Sequence, residues 1–549
     1  MRMKQYSIGL DFGSLSGRAV LLDLETAEEV ATSVTEYAHS VMSESLPNGK
    51  PLAPNWALQH PLDYIDVLRT TIPDLLAKAG VSAEQIVGIG VDFTASTVLP
   101  VTEDGTPLCL FPAFADEPNA YVKLWKHHAA QPYADRLNTV ADAFDPSMLA
   151  LFGGRVSSEW LIPKAMETLD LAPSVYETMA YFVEAADWIV WKLCGNLVRN
   201  ACLAGYKSLW NKRKGFPPEA FFEQLDPRMK TFIHDKLSGP VLPSGMLAGY
   251  LTAESAELTG LLPGTPVSVA GADAHSAVPG CGVSETGHML IVMGTSACHM
   301  LMGNTEIAVP GICGVVEDGM LPGFISFEAG QSCFGDHFEW FEKNCLPLSV
   351  IEEAKENDVA PLTLLSEKAQ LLHPGESGLL ALDFWNGNRS VLDNGDLSGL
   401  LIGMTLDTKP EEIYRALVES LAFGTRVIID RFRESGVEIH TISACGGIPH
   451  KNPFLMQVFA DVLGLPIQVV PTLQAGARGS AIFGAAAAGV VSLEEAVQRL
   501  GSVGSDTMFV PNEDYKSTYD ALYEEYRKLY FYFGTPENDV MLKLKQLRK

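Results

Sequence analysis

Two distant segments share one plan: a buried apolar strand, a turn of small residues, and a second apolar strand. The first is IGLDFGSLSGRAV, Ile8 to Val20. The second runs from Met289 to Met293, through Gly294-Thr295-Ser296, and on to Cys298–Met302. Each reads as a hairpin whose turn leaves backbone donors uncovered. The echo is too short to establish duplication; its weight is functional. At 549 residues the chain exceeds what one hydrophobic core can serve, so at least two domains are expected.

Around these units, strands alternate with helices. Leu62, Ile65, Leu68, Ile72 and Leu75 fall at helical spacing, and Gly80 is placed to end that helix. The run Ile86–Phe93, rich in Val, Ile and Gly, predicts a buried strand. Pro263-Gly264 punctuates the chain before the apolar run Val267–Ala270, which leads into Gly271-Ala272-Asp273. Ile442–Leu463 reads as strand, Gly-Gly turn, helix. Such alternation predicts an α/β fold. Tyr515, Tyr519, Leu522, Tyr526, Leu529 and Phe533 form a helical stripe, assigned to core or domain packing rather than to a partner.

Acidic residues outnumber basic ones, 67 to 39, for a net charge of −28. That surface repels phosphate backbones and anionic lipid, so neither nucleic acid nor a membrane is an expected partner. An anionic substrate would need backbone N–H groups, a metal ion or a placed lysine. No apolar run is long enough to span a bilayer. Met1–Tyr6 leads straight into a strand without a signal-peptide core, so a cytoplasmic protein is expected. The nine cysteines are scattered and form no CxxC pair, as expected of reduced, buried thiols. The sequence leaves the oligomeric state open, a homo-oligomer included.

Four motifs are candidates for chemistry. In the first, a strand delivers Asp11 beside a turn containing Gly13, Ser14 and Gly17. The turn can aim N–H groups at phosphate oxygens, and the carboxylate can hold Mg²⁺. A plain hairpin with a solvated Asp fits equally. The second is the turn Gly294, Thr295 and Ser296, which repeats the arrangement. The third is Cys445-Gly446-Gly447 followed by Asn452, where a flat base can lie against glycine backbone; a simple strand-to-helix turn also fits. The fourth is AGADAHSAVPGCG, Ala270–Gly282, which sets Asp273 at a helix N-terminus after a buried strand. There it can serve as a general base for an alcohol, or simply cap the helix. His275 beside it is read as structural rather than as a metal ligand. The P-loop, G-x-G-x-x-G, G-x-S-x-G and H-E-x-x-H patterns are absent.

In this order and spacing the four motifs resemble the FGGY carbohydrate kinases, over nearly the whole chain. Gly399–Ser420 is similar to a further signature of that family. Phe111–Ala130, Ser157–Trp160, Ala204–Trp210 and Gly311–Asp336 are similar to its ribulokinase branch. The resemblance implies two actin-like (ribonuclease H-like) ATPase domains flanking an interdomain cleft. A sugar-side domain would span 1–283 and a nucleotide-side domain 284–549. It implies ATP and Mg²⁺, with a ketopentose, L-ribulose, phosphorylated at its terminal hydroxyl as a step of arabinose catabolism. Asp273 would be the catalytic base and Asp11 the acidic residue near Mg²⁺. Gly13, Ser14, Gly294, Thr295 and Ser296 would hold phosphates. Gly446, Gly447 and Asn452 would face adenosine, and Ala95, Lys207, Asp273 and Glu328 the sugar. Surface placement for Lys207 and a structural ion pair for Glu328 are the plain alternatives. One position departs from the pattern: His127 stands where many members carry an Asp of the sugar-binding segment. Another pentulose kinase, or a non-catalytic sugar-sensing protein on the same fold, stands as the alternative function.

Overall fold

The computed structural model describes residues 4–501 and 507–548. Two twisted sheets organise it, and their strands are numbered here in chain order. The first sheet contains β1 (Tyr6–Phe12), β2 (Ser16–Asp23), β3 (Glu29–Glu36), β4 (Ile86–Phe93), β5 (Leu247–Tyr250), β6 (Pro266–Ser268) and β7 (Gly271–Ala272). Its order is β5-β6-β4-β1-β2-β3, with β7 paired to β4. The second contains β8 (His288–Met293), β9 (Ala297–Gly303), β10 (Gly314–Glu317), β11 (Ile325–Gln331), β12 (Thr441–Cys445), β13 (Ile467–Val469) and β14 (Met508–Phe509). Its order is β10-β11-β9-β8-β12-β13-β14.

The two sheets repeat one wiring. β1 pairs antiparallel with β2 and parallel with β4. β8 pairs antiparallel with β9 and parallel with β12. The short sequence echo therefore marks the central hairpin of each sheet.

Seven helices matter for the site: α1 (Pro61–Ala79), α2 (Ala201–Ser208), α3 (Asp273–Gly280), α4 (Pro410–Glu434), α5 (Pro453–Leu463), α6 (Ala475–Ala487) and α7 (Lys516–Gly534). As expected, α1 ends at Gly80, whose φ of 63° suits the left-handed cap. Helix α7 holds the aromatic stripe except Tyr515, which precedes it, but its buried face is Tyr519, Tyr523, Tyr526 and Tyr530. Leu522, Leu529 and Phe533 are only partly buried, because this face is defined by packing on α4 and α5 in the second core. Six of the nine cysteines are buried, Cys298 and Cys313 are partly so, and Cys345 is exposed.

The faces of β1 explain how the halves join. Ile8, Leu10 and Phe12 point into the first core. On the other face, Ser7 donates to the Ala481 carbonyl of α6 at 2.7 Å. A Cβ on Gly9 would lie 1.7 Å from the Ala477 carbonyl oxygen, and one on Gly90 1.8 Å from that of Ser480. Glycine at these strand positions lets the α6 backbone settle directly on the first sheet. The helix is itself built of small residues, AGARGSAIFGAAA. A late segment of the chain thus seals the early sheet, a contact the local pattern of Ile86–Phe93 does not reveal.

Candidate functional site

The two small-residue turns close in the same way. Gly13 N–H donates to the Ser16 carbonyl at 3.0 Å, and Gly294 N–H to the Ser296 carbonyl at 2.9 Å. Each glycine amide is therefore spent inside its own loop. The amides of Ser14, Thr295 and Ser296 have no protein acceptor among the described residues. The first loop is held from outside: Tyr37 donates to the Gly13 carbonyl, Gln59 to the Ser14 carbonyl, and Trp125 Nε1 to Ser14 Oγ at 3.0 Å. The second is fixed by amides of Phe334 and Gly335 to the carbonyls of Thr295 and Gly294. Both turns keep uncommitted donors on a rigid frame, as anion binding requires.

Three carboxylates meet at the ends of the parallel strands. Asp11 on β1 is in register with Asp92 on β4, and Gly271 of β7 with the same Asp92, so Asp273 follows alongside. Ligands collect at such strand ends in open α/β sheets. Arg18 Nε lies 3.4 Å from Asp11 Oδ2. Asp92 is fully buried and accepts from Ser480 Oγ of α6 at 2.6 Å. Burial and the neighbouring Asp11 charge raise Asp92 well above its ordinary value. Burial first, then the Asp11 charge, push Asp273 up to about 6, against the Ala274 N–H that its Oδ1 accepts at 2.7 Å. The charges of Asp11 on the first sheet and Glu328 on the second both raise Asp273.

Lys207 and Glu328 are not surface groups. Lys207 ends α2 with its side chain 7 % exposed, 3.9 Å from Glu159 and over the Trp160 ring. Glu328, on β11, is 4 % exposed and accepts from Arg389 Nη2 at 2.8 Å. The plain ion-pair alternative is thus realised for Glu328, but inside the site. Helix α2 touches the second sheet directly: a Cβ on Gly205 would meet Val316 at 2.3 Å. His275 packs its ring on Tyr206 at 4.6 Å between centroids, and its Nε2 lies 3.5 Å from Glu328 Oε2. Ala95 sits in the turn after β4. Lys164 pins that turn by donating to the Ser96 carbonyl at 2.6 Å, and burial pushes this ammonium down to about 7.

On the other side, Gly446 has φ 103°, and a Cβ there would lie 2.3 Å from the Met293 carbonyl oxygen. Only glycine brings the Gly446-Gly447 turn so close to the second loop. Asn452 caps α5: its Oδ1 accepts from Leu455 N–H at 3.0 Å while its Nδ2 donates to Tyr414 at 2.8 Å. Its side chain shapes this wall rather than standing free.

The sequence model for the FGGY family of carbohydrate kinases, N-terminal domain, matches residues 6–280, and that for the C-terminal domain matches 289–488. The chain belongs to the FGGY family of carbohydrate kinases. It is 53 % identical over 540 residues to a ribulokinase of Bacillus licheniformis, covering 97 % of this chain and 98 % of the relative. It is 44 % identical to a ribulokinase of Mycolicibacterium smegmatis, covering 99 % and 96 %. Among solved structures, a xylulose kinase from Rhodospirillum rubrum superposes with a TM-score of 0.77 at 22 % identity, covering 96 % of this chain and 98 % of that one. A Plasmodium falciparum glycerol kinase with ADP gives 0.73 at 17 %, covering 96 % and 98 %. These two share the fold. The expected α/β architecture of paired actin-like domains is thereby borne out.

For an FGGY kinase, the departure at position 127 has a simple structural reason. His127 is fully buried: Nδ1 accepts from Ala57 N–H at 3.3 Å and Nε2 meets Glu167 Oε2 at 2.7 Å. Lys123 binds the same Glu167 oxygen at 2.6 Å. Burial lowers His127 to about 4, so the ring is neutral and Nε2–H is the donor. Position 127 therefore serves the core of this kinase.

Sequence reasoning missed Asp92, Glu159, Arg389 and α6. The VDF ending of β4 repeats the LDF ending of β1, and that signal marks Asp92. Nothing local marks Arg389, which lies in an irregular segment.

Proposed function

We propose that this kinase transfers the terminal phosphoryl group of ATP to the terminal hydroxyl of L-ribulose. The observation that carries the reading is the placement of Asp273. It is a carboxylate raised to about 6, at the strand ends that carry Asp11 and Asp92, with the Asp11 and Glu328 charges acting on it. Relatives up to 53 % identical are ribulokinases, which supports ribulose as the sugar.

The mechanism follows from these groups. The amides of Ser14, Thr295 and Ser296 hold phosphate oxygens, and the Gly446-Gly447 turn takes the adenosine. Lys207 donates to sugar hydroxyls and Glu328 accepts from them, with the Ala95 turn at the edge. Held in line, the hydroxyl oxygen attacks phosphorus while Asp273 takes its proton. The O–P bond to the sugar forms as the bond to the ADP oxygen breaks. The donor set also suits a hard cation: Asp11, its side chain 17 % exposed at the strand end, offers carboxylate oxygens. Mg²⁺ held there would neutralise phosphate charge. The division into lobes 1–283 and 284–549 belongs to the same reading, with α6 spanning it.

An ADP-release assay over a panel of ketopentoses tests the proposal. ADP formation dependent on L-ribulose is expected. Release indifferent to any sugar would leave a sensor or an idling ATPase instead.

A further inference from the structure

We propose that Arg389 is a positioning residue for sugar recognition: it fixes Glu328, while Lys207 stands beside Glu159, so that two pairs of opposite charge frame the sugar. This rests on the kinase reading above and adds two residues to it.

The geometry is two pairs of opposite charge. Arg389 Nη2 donates to Glu328 Oε1 at 2.8 Å, which leaves Oε2 without a hydrogen bond among the described residues. Lys207 Nζ stands 3.9 Å from Glu159 Oε2, too far for a hydrogen bond. Its donors are thus available to a polyol, while Glu328 Oε2 is buried 3.5 Å from His275 Nε2. Arg389 and Glu159 come from opposite lobes. Against the cost of burial, the Arg389 charge is the largest influence keeping both Glu159 and Glu328 ionised; Lys207 also lowers both. Arg389 and Glu159 side chains remain 27 % and 25 % exposed, so this end of the chain meets solvent.

Arg389 is itself held in place. Its side chain crosses β11 at Gly330, where a Cβ would lie 3.4 Å from Arg389 Cδ. Its neighbours are tied down: Asn388 Nδ2 and Val391 N–H donate to Tyr530 of α7 at 3.0 and 3.2 Å, and Gly330 N–H donates to Ser390 Oγ at 3.1 Å. The tyrosine face of α7 thereby braces the segment that presents the guanidinium. A planar, permanently charged group on a braced segment fixes a carboxylate in direction as well as in charge.

The test is steady-state kinetics of Arg389→Gln and Arg389→Lys, with sugar and ATP varied in turn. Arg389→Gln should raise KM for the sugar about tenfold or more, the scale of a charge-assisted hydrogen bond, while KM for ATP holds and kcat moves less. Arg389→Lys should recover part of the loss. In the double variant with Glu328→Gln, the Arg389 change should add little, because it acts through Glu328. Equal shifts in both KM values, an unchanged sugar KM, or additive losses in the double variant would overturn the proposal. Thermal melts of each variant screen for misfolding; should Arg389→Gln not fold, Arg389→Lys and Glu159→Gln carry the same comparison. If the wild type prefers a different pentulose, the substrate reading is corrected, while the KM split on that sugar still decides Arg389.

Discussion

Replacing Asp273 by Asn keeps the shape of the side chain and removes its basicity. Turnover should fall by about 10²–10⁴, the usual worth of a general base, while calorimetry finds ATP binding intact. Near-normal kcat would take Asp273 out of that role. A second residue-level prediction concerns acid stability. His127 titrates at about 4 in the fold against 6.5 when free, because burial opposes its charge. As pH falls below 6.5 the unfolded chain gains a proton that the folded one refuses, so stability is lost down to about 4. Glu167, held at about 2 despite burial by Lys123 and His127, adds a further loss as pH falls from 4.5 toward that value. His127→Gln should flatten the loss between pH 6.5 and 4 by up to roughly 3 kcal/mol, read from denaturation midpoints across pH. Parallel curves for variant and wild type would contradict the neutral-imidazole assignment. Asp11 and Asp273 were legible as site candidates from their own motifs, Lys207 and Glu328 only through the family resemblance. Arg389 was not, since an arginine in an irregular segment is ordinary until the fold puts a buried carboxylate against it.

At the scale of elements, the meeting of α6 with β1 and β4 is the contact least tolerant of change. Gly90→Ala would force a methyl to within 1.8 Å of the Ser480 carbonyl oxygen. Overpacking of this kind costs about 1–3 kcal/mol or more where backbone must move. The variant should melt earlier and lose activity together, since Ser480 of the same helix holds Asp92 at 2.6 Å. An unchanged melting temperature would mean that α6 sits further from the sheet. Strands and helices were largely legible from apolar periodicity. What periodicity could not show is which face of β4 takes a helix, because glycine reads alike at a turn, a bulge or a close approach.

For the whole molecule, the candidate site draws groups from both sheets; α2 packs on strands of both, and α6 returns from late in the chain to the first. A closed state should form only when both substrates are present, since water must be kept from the phosphoryl group. Small-angle scattering should then show a smaller radius of gyration with a non-hydrolysable ATP analogue plus ketopentose than with either alone. An identical radius in all three states would argue for a site that needs no closure. The sequence by itself determined the two hairpins, their amide-bearing turns, the strand-end aspartates and the α/β class, because each is written in contiguous residues whose spacing sets local geometry. The tertiary structure alone decided that α6 returns to the first sheet, that position 127 belongs to the core, and that Arg389 meets Glu328. Those outcomes depend on residues far apart in the chain, brought together only when buried surfaces find their complements.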